Sequence, residues 1–346
     1  MQSNVNTPPE SQNKVKKQRI VFIDIAKAVC IILVVIGHYF PGNSPGWYVT
    51  IHDIIYTFHM PLFMFASGYV YIATKKDIPY GQFILKKVRR LMVPYFVTSI
   101  IVISIKLLTQ GGMSVDHPVT AMSYVHMLYL PEAGYFLWFI WALWWMFVLV
   151  PLFKTAKSRL ILFLIGLVLH YVALPLPGEF CIAQFKNMLV FFMLGVVAFE
   201  NEYLHSVVKT FRCRQTIVAI LLFIILQSIK FGTGMHNGVT AVVNVLLPYV
   251  GIFFIIEVSK LWCHLYKVDV ASKILMVAAS SYIIYLFHTT FEGFTKAVFR
   301  KMPLDSGLWY IFLPEAIVVI AVGVIGPMVC FRIFKKYRVT KFLFGL

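Results

Sequence analysis

A chain of 346 residues that is 60% hydrophobic and only 13% charged, with a mean hydropathy of +0.81, exceeds the roughly 45–50% apolar content of soluble domains. It reads as a polytopic membrane protein, and the alternating ten-residue segments of a closed barrel are missing, so the expected class is all-α with about ten transmembrane helices. The net charge of +17 falls mostly in short loops between apolar spans, where topology accounts for it, and nucleic acid is excluded as a partner in favour of membrane lipid.

Residues 1–18 are polar, with Pro8, Pro9, Lys14, Lys16 and Lys17, and are expected to form a disordered basic tail. The first apolar run, Ile20 to Phe40, is about as long as a bilayer core demands. It lacks a small-residue cleavage site and is expected to stay in the protein. Asp24, Lys27 and His38 interrupt it. Each such group costs roughly 2.5–3.5 kcal/mol at a bilayer centre, so this helix is expected to be central, with its polar face turned toward protein or water. Lys27 and His38 are eleven positions apart, close to three full turns, which puts both on one face and about 16 Å apart along the axis. Asp24 stands three positions before Lys27 and is placed to pair with it.

Nine further spans follow: Ile51 to Thr74, Leu91 to Thr109, Tyr135 to Phe153, Leu160 to Leu176, Ile182 to Phe199, Thr216 to Phe231, Val239 to Leu261, Ile274 to Val298 and Leu308 to Phe331. Residues 19–335 thus make one transmembrane domain, and 336–346 a short cytoplasmic tail. Placing the N-terminus inside gathers Lys75, Lys76, Lys86, Lys87, Arg89, Arg90, Lys154, Lys157, Arg159, Lys209, Arg212, Arg214, Lys260, Lys267 and Lys273 in inner loops. The outer loops 41–50 and 111–134 hold no Lys or Arg. Both termini are therefore expected in the cytoplasm. Lys296, Arg300 and Lys301 break the pattern just beyond the ninth span, where they either snorkel to headgroups or bind an anionic acceptor.

This orientation gathers imidazoles toward the outer side: His38, His59 in the second span and His288 in the ninth. Pro61, two residues after His59 in FHMPLFMFASGY, is expected to kink the second span, and Ser67-Gly68 to permit close helix approach. In SSYIIYLFHTTFEGF, His288 and Glu292 are one turn apart and placed to pair. The run GYFLWFIWALWW reads mainly as interfacial aromatics, with Trp138 a candidate wall of a site. On the inner side Lys86, Lys87, Arg89 and Arg90 arrive together at the start of the third span, a good site for the phosphates of a cofactor. The five cysteines are scattered and without a CxxC pair, which argues against a disulfide or metal scaffold.

D-x-x-K and then, after ten residues, H in the first span; FHMPLF-x-x-SGY; the basic run before VPY; LWF in the fourth span; FFMLG at Phe191 to Gly195; and S-x-x-IYLFH in the ninth span occur in that order. The ordered set resembles the membrane-bound acyltransferase-3 family over nearly the whole chain. The resemblance implies a ten-helix O-acyltransferase of the bacterial cytoplasmic membrane. Such an enzyme acetylates or succinylates cell-surface sugars, polysaccharides or lipid-linked glycans from cytoplasmic acetyl-CoA or another short acyl-CoA, without a metal. It assigns the catalytic role to His38, with Asp24 and Lys27 in the same signature; Lys27 stands where many members carry arginine. Lys86, Lys87, Arg89 and Arg90 would hold the donor, and Trp138 and Glu292 the acceptor, while His59 and His288 would either bind the acceptor or orient His38. The competing class is a transporter or exporter of polysaccharide or small anions, which also uses buried charges and broken helices; no internal repeat between the two halves supports it.

Overall fold

The computed structural model describes residues 20–111, 117–232, 238–266, 271–301 and 308–346. The expected N-terminal disordered tail and Lys267 lie outside them. The described residues fold into helices with no strand. In chain order these are α1 (Val21–His38), α2 (Gly46–Tyr56), α3 (His59–Ala73), α4 (Tyr80–Lys87), α5 (Val93–Thr109), α6 (Ser123–His126), α7 (Trp138–Leu149), α8 (Ala156–Tyr171), α9 (Ile182–Glu200), α10 (Glu202–Lys209), α11 (Cys213–Gly232), α12 (Gly238–Leu265), α13 (Ala271–Phe299), α14 (Trp309–Phe334) and α15 (Arg338–Leu343). Eight helical stretches among them are long and apolar enough to cross a bilayer. At 15 and 16 residues, α3 and α8 are shorter than those eight. They supply the second and fifth spans read from sequence.

The central position expected for α1 is what the packing gives. It contacts α2, α3, α12, α13 and α14, and Ile23, Ala26, Ala28, Cys30, Ile31 and Val35 are fully buried. By contrast α11, at the rim, buries few residues and leaves Leu221, Ile224 and Ile225 half exposed.

The second span is broken rather than kinked. α2 ends at Tyr56, Phe58 has non-helical backbone angles (φ −143°, ψ −16°), and α3 restarts at His59. Pro61 thereby falls in the first turn of α3, where its missing N–H costs nothing, instead of inside a continuous helix. Below the break, α3 packs tightly on α9 through two glycines. A Cβ at Gly68 would lie 1.9 Å from the Phe192 carbonyl oxygen, and one at Gly195 2.1 Å from the Phe65 carbonyl oxygen. Only residues without a side chain let the two backbones approach this closely.

Two buried ion pairs tie the ends together. Arg159 binds Glu200 and also donates to the Phe153 and Lys154 carbonyls. Lys260 binds Glu257 and donates to the Val207 and Thr210 carbonyls, clamping the turn after α10 onto α12. In each, extra carbonyl acceptors offset the desolvation of the cation. The C-terminal segment is docked. Phe344 is buried, stacking on Phe334 at 4.1 Å and packing against Phe287, and Gly345 adopts φ +66° beside the Arg90 backbone. The segment read as a tail is thus part of the bundle: a buried phenylalanine holds it down.

Candidate active site

Three histidines meet where α1 ends and α3 begins. His38 is the last residue of α1, His59 the first of α3, and His288 lies midway along α13. Each ring is turned back along its own helix in the same way. His38 Nδ1 lies 3.0 Å from the Val34 carbonyl, His59 Nδ1 2.9 Å from Ile55, and His288 Nδ1 3.0 and 2.9 Å from Ile284 and Tyr285. A carbonyl oxygen only accepts, so Nδ1 donates in all three. Nε2 is then the basic atom of each neutral ring. For His59 the acceptor belongs to the preceding helix, since the Ile55 carbonyl lies at the end of α2, where it also accepts from the Phe58 N–H.

His288 is fully buried and stacks edge-on against His38, with ring centroids 4.9 Å apart. Phe136, from the loop before α7, closes the group at 6.0 Å from His38 and 5.2 Å from His288. Tyr285 donates to the Phe136 backbone carbonyl and fixes that loop. The His288 Nε2 has no hydrogen-bond partner among the described residues.

His38 opens onto a cavity of about 640 Å³ that is also lined by His59, Trp138 and Glu292. Tyr56, Tyr135, Phe136 and Phe191 add aromatic walls, and Thr289 and Thr290 add hydroxyls. Large planar surfaces with a few polar groups suit a ring-shaped, hydroxyl-rich ligand. Rings stack outward from His59 through Tyr56 and His52 to Phe40, at 4.8, 4.1 and 4.1 Å between centroids.

The structure therefore brings together His38, His59, Trp138 and Glu292 around one cavity. His288 supports His38 from behind and does not line it. The expected His288–Glu292 pair is not formed: the imidazole is committed to backbone carbonyls, and the Glu292 Oε1 is buried with no hydrogen-bond partner among the described residues. Asp24 and Lys27 stand apart, at the opposite end of α1, with carboxylate and ammonium 3.8 Å from each other and both side chains partly exposed. Neither lines the cavity, whose α1 wall consists of Val34 and His38.

Lys86, Lys87, Arg89 and Arg90 also lie away from it. α4 passes into α5 through a single π-helical turn, Val88–Met92, which carries both arginines. Such turns alter which way side chains project and are frequent at functional sites. Lys86, Arg89 and Arg90 are exposed, whereas the Lys87 ammonium sits 3.4 Å over the Phe147 ring, so three of the four cations face outward. Sequence reading missed Tyr56, Phe136 and Lys106 as cavity residues. Phe136 was hidden in an aromatic run that looked interfacial. Lys106 had a signal, being the one cation in the outer part of the third span.

Residues 20–332 match a family model described as an acyltransferase domain, that of acyltransferase family 3. No curated protein and no solved structure matches the chain.

Proposed function

We propose, from the premise that the chain belongs to the acyltransferase-3 family, that this membrane acyltransferase moves an acetyl or succinyl group from cytoplasmic acyl-CoA to a hydroxyl of a cell-surface sugar, polysaccharide or lipid-linked glycan. The observation that carries the reading is His38, an imidazole whose Nδ1 is committed to Val34 while its ring lines a cavity walled by aromatic residues.

Acyl transfer to an alcohol needs a base for the attacking hydroxyl. His38 Nε2 takes that proton and returns it to the departing sulfur, so the imidazole ends as it began. The Nδ1–Val34 bond holds the tautomer that this role requires. His288 and Phe136 pack the ring on two sides and fix its direction. His59, Trp138 and Glu292 bind the acceptor, whose sugar faces lie on Tyr56 and Trp138.

Acyl-CoA supplies the activated acyl group as a thioester. Lys86, Arg89 and Arg90 fit its phosphates, being exposed cations clustered around a break at the start of a span. The charge asymmetry of the loops supports a cytoplasmic position for both termini and this basic run. Lys27, held by Asp24, marks the route along α1. Val34, the innermost α1 residue of the cavity, lies seven positions beyond Lys27, so about 10 Å of packed bundle must open during turnover.

The test is direct. The purified protein in nanodiscs is titrated calorimetrically with acetyl-CoA and then assayed for transfer to glycan. Saturable binding that Arg89→Ala weakens, and transfer that His38→Gln abolishes with binding retained, support the reading. Absence of acetyl-CoA binding favours the transporter class instead.

A further inference from the structure

Three cations line the same cavity as His38: Lys106 from α5, and Lys296 and Arg300 from the last turns of α13 and the residue beyond it. Lys296 and Arg300 are two of the three charges that break the topology pattern beyond the ninth span. Within the described lining Glu292 is the sole carboxylate against them. The cations come from two helices distant in sequence. Lys106 donates to the His117 carbonyl at 3.3 Å, and His117 also lines the cavity. Along α13, His288, Glu292, Lys296 and Arg300 follow one another at four-residue intervals, one stripe that leads from the imidazole pair to the end of the helix. Lys296 and Arg300 lie about 12 and 18 Å beyond His288 along the axis.

Resting on the acyltransferase reading, we infer that the acceptor carries an oxyanion, a carboxylate or a phosphate, bound by Lys106, Lys296 and Arg300 while a hydroxyl of the same molecule reaches His38. A neutral glycan offers these cations hydroxyl acceptors but no negative charge. Headgroup snorkelling accounts for a basic residue at a helix end, but not for three that converge on the wall of the reaction cavity. An arginine and two lysines match an oxyanion in both charge and hydrogen-bond donors. The low-dielectric wall behind them strengthens the attraction.

The experiment uses the full chain in nanodiscs and three probes: galactotriose, trigalacturonate and a polyprenyl phosphate. The expected result is that at least one anionic probe binds about tenfold or more tightly than galactotriose, with a preference that shrinks as salt rises. Preference for trigalacturonate identifies a carboxylate-bearing glycan. Preference for the polyprenyl phosphate identifies the phosphate of a lipid-linked acceptor. The combined Lys296→Gln and Arg300→Gln variant loses the preference, and Lys106→Gln, on a different helix, reduces it, so the test survives if one variant fails to fold. Equal binding of all three probes, or a preference that persists in the variants, overturns the inference. Acetyl-CoA binding measured on the same samples separates the two claims. If the donor binds but anions are not preferred, only the inference falls; if anions are preferred but the donor never binds, the acyltransferase reading falls.

Discussion

Replacing Gly68 by alanine tests whether the α3–α9 contact holds the acceptor side of the cavity. The new Cβ would stand 1.9 Å from the Phe192 carbonyl oxygen, whereas ordinary contact begins at 3.4 Å. The obstructing atom is backbone in mid-helix, so no rotamer change relieves it, and the helices must separate by about 1.5 Å. Overpacking of this kind costs about 1–3 kcal/mol. The movement also reaches the cavity. α3 carries His59, Met60 and Pro61 in its first turn, and α9 carries Met188 and Phe191, all of them lining residues. Thermal unfolding of the detergent-purified protein is the assay, with Gly46→Ala as the control, since nothing lies within 4 Å of a Cβ there. Gly68→Ala should melt several degrees below Gly46→Ala and bind the acceptor more weakly. If the two variants melt together, the close approach of α3 and α9 is not what holds this part of the bundle.

His38→Gln should lower acyl transfer by about 10²–10⁴-fold, the usual worth of a general base, with acetyl-CoA affinity unchanged; calorimetry and turnover on one sample decide it. In the unaltered protein the rate should fall as acid protonates Nε2, because only the neutral ring accepts a proton, and a transfer rate that climbs on acidification would contradict the role. Arg89→Ala and Arg90→Ala should each weaken acetyl-CoA binding, with the difference from the parent protein narrowing at high salt; affinity equal to the parent's in both would remove the donor site from this surface. Glu257→Ala should destabilise the protein by about 3–5 kcal/mol, because it strands the buried Lys260 ammonium with carbonyl partners alone; a chemical denaturation series measures this, and a change under about 1 kcal/mol would show that the carbonyls suffice.

Composition and the lengths of its apolar runs were enough to determine an all-α membrane bundle and the approximate place of each span, because a bilayer admits few solutions and hydropathy reports them directly. The ionisable residues Asp24, Lys27 and His38 inside an apolar run likewise marked α1 as central before any contact was known, although Asp24 and Lys27 are partly exposed. What periodicity does not carry is which faces meet. His288 and Glu292 are one turn apart and look like a pair, yet the ring turns to its own backbone and packs on His38, 250 positions away. Gly68 announces a close approach, and only the fold identifies Phe192 as the partner. Pro61 announces a disturbance, and only the fold shows that the helix restarts at His59, with the proline in its first turn. Lys106 and Arg300 stand out singly, but nothing in the sequence joins them. They become one surface because two helices end beside the same cavity, and that is a property of tertiary packing, where long-range contacts select among arrangements that local sequence leaves equally good.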